Sequence, residues 1–410
     1  MTTNRRRFIQ TTTAVAMLPT ISQSATIRPT ADALDRAAQL PVLHVGELRE
    51  PVLIQNIELH RLGKDHILKA ISQDGAVGYT ITNDRAFQLY PLLRDNVLPH
   101  FIGKDARQLE SLLDDLYVFK SNYKLQGLAL WCCTAWVEMA LLDLLGRMAN
   151  KRLGDMMGGV LRESVPVYYA SGNRNTSPQE EADILKRKVE QHGVKAVKFK
   201  VGGRMSNNAD SIPGRSEALI PLVRKTLGGS IDIHSDSNGS YDPPKAIDIG
   251  KRLQDAGAVF FEEPCPFDHL EDTKRVADAL EIDVAGGECE SSHRRFRWMI
   301  ENGAVQVVQP DLHYYGGFIR SRRVANMAAV AGSPITLHMG GSGVGFVEVV
   351  QFASCTPNIG PYQEFKEGFE KSVYYDPPLT MKDGAVSVPK GAGLGLAPLD
   401  DRLKKAERIL

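Results

Sequence analysis

The chain has 410 residues, 43% hydrophobic and 24% charged, which is enough apolar material for one large domain and a smaller companion. Lysine plus arginine equals aspartate plus glutamate at 49 each, so no long-range field recruits nucleic acid. Small molecules suit this balance better than polyanions.

At the N-terminus, NRRRFIQ (Asn4 to Gln10) precedes a mildly apolar TTTAVAMLP and the small residues SQSA. This resembles a twin-arginine export signal over residues 1–25 and predicts a mature, soluble protein in the periplasm. The competing reading is a disordered basic start of a cytosolic protein. Loss of Arg5, Arg6 and Arg7 would take the net charge from 0 to −3. The five cysteines (Cys132, Cys133, Cys265, Cys289, Cys355) are odd in number and fit no zinc spacing, and Cys132 and Cys133, inside an apolar helix, read as packing residues.

Residues 52–83 read as antiparallel strands with a Gln-Asp-Gly turn, and Arg85 to Leu153 as helical, with LALWCCTAWVEMALLDLLG a buried helix and not a membrane span. Together they predict an α+β module over 45–164. From Val165, short β-rich segments alternate with helical ones: VPVYYAS, VKAVKFKV, IDIHSDSN, AVFFEEP, IDVAGGE, AVQVVQPD, PITLHM and a last one in PYQEF. Eight parallel strands at this spacing predict an α/β fold, a TIM-type (β/α)7β barrel over 165–369. A doubly wound open sheet is the second choice, since the first strand is followed by no glycine-rich phosphate loop.

Asp236, Glu262, Glu288, Asp311 and His338 close five successive strands at intervals of 23 to 27 residues. Helix capping could explain an Asp there, but caps do not favour Glu or His, and barrel enzymes keep their chemistry at this face. Three carboxylates from adjacent strands make a hard oxygen site suited to Mg²⁺. One strand earlier, AVKFKVG points Lys198 and Lys200 to the same side, because side chains alternate faces along a strand. Two buried ammonium groups are costly unless anions compensate them. A metal site that draws in an anionic carboxylate substrate supplies that compensation, and desolvation near cations suits a lysine to act as a base.

KFK, DSN, FEEP, AGGE, QPD and TLH in this order, with the helix WVEMALLDLLGRMANKRLGDMMGG and the tail GAGLGLAPLDDRL, resemble the mandelate racemase subgroup of the enolase superfamily over nearly the whole mature chain. The resemblance implies that the tail, 370–410, returns to complete the N-terminal capping domain. It implies that Asp236, Glu262 and Glu288 hold Mg²⁺, that Lys200 is the base on one face, and that Lys198 contacts the substrate carboxylate. His338, oriented by Asp311, would be the acid/base on the other face. Asn238 would touch the α-oxygen, and Glu364 would donate to the developing enolate. A homo-oligomer is implied by the same analogy.

The expected reaction is abstraction of the proton α to a carboxylate. Dehydration of a sugar acid to a 2-keto-3-deoxy acid comes first, and racemisation or epimerisation of a 2-hydroxy acid second. Polar residues near the strand ends (Asn173, Arg174, Asn175, His313, Tyr314) suit a polyhydroxylated substrate. The short RLGKDH connection and the inserted GGRMSNNADSIPGR loop (Gly202 to Arg215) suggest an open pocket that admits a larger acid. From another class, an exported two-lobed binding protein for acidic sugars would share the solubility and compartment, but has no use for paired lysines facing a His/Asp dyad.

Overall fold

The computed structural model describes residues 28–339, 343–368, 374–375 and 378–410; the expected export signal lies outside them. Three antiparallel strands, β1 (Ile54–Leu62), β2 (Asp65–Ser72) and β3 (Val77–Ile81), form the sheet of the capping domain. The turn between β1 and β2 is only two residues long, with Gly63 at φ 63°. β3 lies hard against the helix Leu128–Ala149: a Cβ on Gly78 would sit 2.2 Å from the Leu144 backbone nitrogen, so only glycine permits the approach. That helix passes the length and hydropathy test for a membrane span, yet 89% of the tested window is buried, which makes it the core helix the sequence predicts.

Eight parallel staves follow. They are β4 (Ser164–Ala170), β5 (Ala196–Lys200), β6 (Asp232–Asp236), β7 (Phe260–Glu262), β8 (Asp283–Gly286), β9 (Val307–Val308), the segment around Ile335 to His338, and β10 (Gln363–Phe365), which pairs back onto β4. The seventh stave is held by the single bridges Val308↔Ile335, Asp311↔His338 and Ile335↔Ile359. Seven helices connect the staves, so the barrel is closed as (β/α)7β. Local chemistry explains the helix starts. Ser177 accepts from Glu180 N at 3.2 Å with Pro178 next, and Asp242 accepts from Lys245 N at 3.0 Å with Pro243 next.

Two parts depart from the expected boundaries. The tail does not all return to the capping domain: β11 (Met381–Lys382) and β12 (Ala385–Ser387) form a hairpin that adds antiparallel to β4 of the barrel. The stretch around Gly393 and β13 (Glu407–Arg408) do return, the latter to β1. Asp143 ties these pieces together, since its carboxylate accepts from Tyr79 N at 2.8 Å and Leu394 N at 2.9 Å while pairing with Arg147 at 2.6 Å. In addition, Ala31–Ala38 forms a helix that the sequence reading left unassigned; Thr30 caps it, and Asp35 pairs with Arg297 of the barrel at 2.6 Å.

Candidate active site

All of the strand-end residues converge at one mouth of the barrel. Asp236 and Glu262 end β6 and β7 as neighbours in register, and Glu288 lies two residues beyond β8. The chain turns there at Gly287 (φ 125°), where a Cβ would lie 2.6 Å from Phe296. None of the five ionisable residues caps a helix; Asp242, Ser292 and Gly317 occupy the cap positions that follow β6, β8 and β9. The carboxylates of Asp236, Glu262 and Glu288 are buried, with ligand atoms all within 4.8 Å of one another.

Both lysines reach this cluster. Lys198, fully buried, places Nζ 2.6 Å from Glu262 Oε2, 3.2 Å from Glu364 Oε2 and 4.0 Å from Asp236 Oδ2. Lys200 pairs with Asp236 and donates to Asn238 Oδ1 at 3.1 Å. At the other end of the trio, His338 Nδ1 meets Asp311 Oδ2 at 2.8 Å while Nε2 faces Glu288 Oε2 at 3.1 Å. The second oxygen of Asp311 accepts from the backbone nitrogens of His313 and Tyr314 at 2.8 and 2.9 Å, which fixes its plane. Nδ1 of His338 therefore carries the proton toward Asp311 and leaves Nε2 to face the trio.

Burial opposes the charge on Lys198, but Glu262 and Glu364 outweigh it and hold the ammonium well above its ordinary range. A permanently charged Lys198 suits contact with a carboxylate. Burial also works against ionisation of Asp236, yet Lys200 and Lys198 bring its carboxyl down to about 2. For Glu262, burial dominates and the charges of Asp236 and Glu288 add to it, against Lys198, so its carboxyl is pushed up. Three such groups cannot all ionise at this spacing without more positive charge than the lysines provide. Glu262 Oε1 and Glu288 Oε2 are buried without a hydrogen bond, and three oxygen donors at one mouth match the preferences of a divalent magnesium ion. The residues fit that ion.

Glu364 departs from its expected role. It lies on β10 as a buried acceptor for Lys198, and although burial favours its acid form, Lys198, Lys366 and His338 hold it strongly ionised. In this pairing Glu364 accepts from Lys198 and holds that ammonium in place. Asn238, in the left-handed region at φ 44°, turns its amide to Glu263 and Glu288 (both 3.3 Å) and its carbonyl oxygen to Lys200 and Arg174. Of the polar residues singled out, His313 is engaged by Glu348 at 2.6 Å, Asn173 by Glu181 at 3.0 Å, and Tyr314 by Arg85 at 3.3 Å. Their partners are protein groups. The inserted loop is pinned to the rim of β6, where Met205 N donates to Asn238 O at 3.0 Å and Asn208 N to Ser240 O at 2.7 Å.

Two site residues escaped the sequence reading. Glu263, the second glutamate of FEEP, sits at positive φ (42°) beside Glu288, and burial together with Glu288 and Asp236 pushes its carboxyl well above the usual range. Gln309 of QPD donates to Glu262 Oε2 at 3.0 Å and fixes that carboxylate. Both belong to motifs already in view. The positive φ of Glu263 turns its side chain into the site.

A closed barrel with its acids, amines and imidazole at the C-terminal mouth, roofed by an α+β domain, defines an enzyme and excludes a two-lobed binding protein. Residues 180–402 match the family described as enolase C-terminal domain-like, and residues 63–158 match the mandelate racemase/muconate lactonizing enzyme N-terminal domain. The chain belongs to the mandelate racemase/muconate lactonizing enzyme family of the enolase superfamily. It is 31% identical over 309 residues to D-galactarolactone cycloisomerase of Agrobacterium fabrum, covering 72% of this chain and 79% of that protein. It is 26% identical over 331 residues to arabinonate dehydratase of Saccharolobus solfataricus, covering 79% and 85%. A mandelate racemase/muconate lactonizing protein from Paracoccus denitrificans, solved as a complex with magnesium, superposes with a TM-score of 0.79 at 26% identity over 87% of this chain and 98% of the other.

Proposed function

We propose that the enzyme dehydrates a sugar acid to a 2-keto-3-deoxy acid with Mg²⁺ bound by Asp236, Glu262 and Glu288. The observation that carries this reading is that Lys200 and the His338–Asp311 pair flank one carboxylate trio, at Asp236 and at Glu288 respectively. Removing a proton α to a carboxylate puts a second negative charge beside the first. Asp236, Glu262 and Glu288 would hold the magnesium ion, which would supply Lewis-acid stabilisation of that charge. Lys198 adds its fixed charge to the same oxygens, and its ammonium is kept in place by Glu262 and Glu364. Lys200, once it has released its own proton and stands as the free amine, takes the α-proton. His338 gives a proton from Nε2 to the departing β-hydroxyl, while Asp311 holds Nδ1 and stabilises the imidazolium before transfer. Loss of water leaves an enol that becomes the keto acid.

Support for dehydration over racemisation comes from relatives named arabinonate dehydratase and D-gluconate dehydratase, the latter 26% identical over 369 residues. The same two groups could instead invert a centre, if His338 returned its proton to carbon. Incubating a panel of sugar acids with Mg²⁺ in D₂O and following them by proton NMR separates the outcomes. Keto-acid formation is expected, and α-proton exchange without elimination for every acid would overturn the reading. Export through the twin-arginine signal and assembly as a homo-oligomer complete the proposal; a periplasmic fraction containing the folded protein, and its mass by light scattering, test them.

A further inference from the structure

Behind the His338–Asp311 pair lies a second histidine–carboxylate pair that the reaction as described does not use. His313 Nε2 meets Glu348 Oε2 at 2.6 Å, with only 4% and 3% of the two side chains exposed. Nδ1 of His313 is buried without a hydrogen bond, so Glu348 is the polar partner that sets the ring. The main chain of His313 is what Asp311 leans on, because its backbone nitrogen donates to Asp311 Oδ1 at 2.8 Å. Glu348 belongs to the helix Gly343–Cys355, which follows the stave of His338, and its Oε1 lies 3.5 Å from Thr80 Oγ1 on β3 of the capping domain. One side-chain pair therefore joins the loop that carries Asp311 to the helix beyond His338.

These two segments need such a tie. β9 is only two residues long and the stave of His338 is held by single bridges, so the ladder that fixes the other strand ends is thinnest where this dyad sits. A buried ion pair adds little net stability, since desolvation of both ions offsets their attraction. What it does supply is direction, because a charge-assisted contact of 2.6 Å tolerates little movement. Burial opposes the charge on His313, but Glu348 and Asp311 outweigh it and hold the imidazole above its ordinary range. That charge in turn helps His338 keep the Asp311 carboxyl ionised against burial. Lys200 is held by Asp236 and Asn238 on the other side of the trio, so a defect in this brace should reach one proton transfer and spare the other.

We propose that His313 and Glu348 are positioning residues for the acid step: their pair holds the loop that orients Asp311, and through Asp311 the imidazole that protonates the leaving hydroxyl. Both act through Asp311 and not on the substrate. The inference deepens the dehydratase reading and rests on it.

The test compares the full-length, Mg²⁺-supplemented enzyme with Glu348→Gln, using the acid of the sugar-acid panel that reacts fastest and following α-proton exchange and keto-acid formation together in D₂O. Glu348→Gln should lower keto-acid formation by about tenfold or more while Lys200-dependent exchange persists, so that the ratio of exchange to elimination rises; KM should stay within about threefold. General loosening of the fold would lower both rates together and leave the ratio unchanged. The double variant His313→Leu/Glu348→Leu removes the pair without leaving a lone buried charge, so it should keep a cooperative thermal transition and show the same raised ratio. In the Asp311→Asn background, Glu348→Gln should cost less than about a further threefold, since both changes act on one chain of contacts. An unchanged ratio in Glu348→Gln and in the double variant, a full additional loss in Asp311→Asn, or failure of both variants to fold would overturn the positioning role. If the unaltered enzyme exchanges the α-proton without eliminating, the dehydratase reading falls, and the positioning role survives only if Glu348→Gln slows proton transfer at the His338 face and not at the Lys200 face. If the unaltered enzyme acts on no acid of the panel, both fall.

Discussion

His338 and Asp311 are bridge partners on adjacent staves, and their side chains meet at 2.8 Å with the carboxylate plane locked by the backbone nitrogens of His313 and Tyr314. The imidazole is thus held by a carboxylate that is itself held by main chain, so its orientation is set before any substrate arrives.

Asp311→Asn would keep the shape and lose the charge, presenting an amide that can turn an N–H toward Nδ1. Turnover should fall by about 100-fold or more, with a smaller change in KM, because the imidazolium is destabilised and the wrong tautomer is favoured. Steady-state kinetics of the variant check this; loss confined to KM would place Asp311 in substrate binding.

Lys200→Ala and His338→Asn should separate the two proton transfers. Lys200→Ala should abolish both α-proton exchange in D₂O and keto-acid formation. His338→Asn should cut elimination by about 100-fold or more while Lys200-dependent exchange persists. Exchange that survives in Lys200→Ala would transfer the base role to another group.

Magnesium should stabilise the fold by mass action, because the trio exists only in the folded chain. At free metal about 100 times its Kd the gain is about 2.7 kcal/mol, seen as a rise in Tm that chelator reverses. Glu262→Gln should remove most of this rise, since it takes one charged ligand from a buried site. Scanning fluorimetry with and without Mg²⁺ reads both. An equal rise in Glu262→Gln and in the unaltered enzyme would show that the ion binds elsewhere.

Glu138, on the core helix of the capping domain, accepts from the backbone nitrogens of Phe318 and Ile319 (3.1 and 2.7 Å) at the start of a barrel helix, so one carboxyl joins the two domains. Burial pushes that carboxyl up to about 8 despite the two amides, which favour its charged form. A folded-state value above the ordinary 4.5 means that the folded chain binds the proton more tightly. Its contribution is therefore full below about pH 4.5 and declines as pH rises toward 8. The stability difference between the unaltered enzyme and Glu138→Gln should shift against the unaltered enzyme over that window, measured by denaturant unfolding at several pH values. A difference independent of pH would mean that the carboxyl titrates normally.

By itself the sequence determined the barrel, the capping sheet and the core helix, because period-two and helical patterns recur there with clear punctuation and because barrel chemistry collects at strand ends. Asp236, Glu262, Glu288, Asp311 and His338 were legible from their phase alone, and Lys198 and Lys200 from strand alternation. Tertiary structure decided the pairings. That Glu364 accepts from Lys198 instead of donating, that Gln309 and Glu263 belong to the site, and that Arg174 bonds to Asn238 all depend on which staves lie side by side and how the chain bends past their ends. The tail was divided by the same cause: Met381–Ser387 finds the free edge of β4 and Glu407–Arg408 that of β1, and an edge open to pairing is a property of the folded sheet, invisible to local pattern.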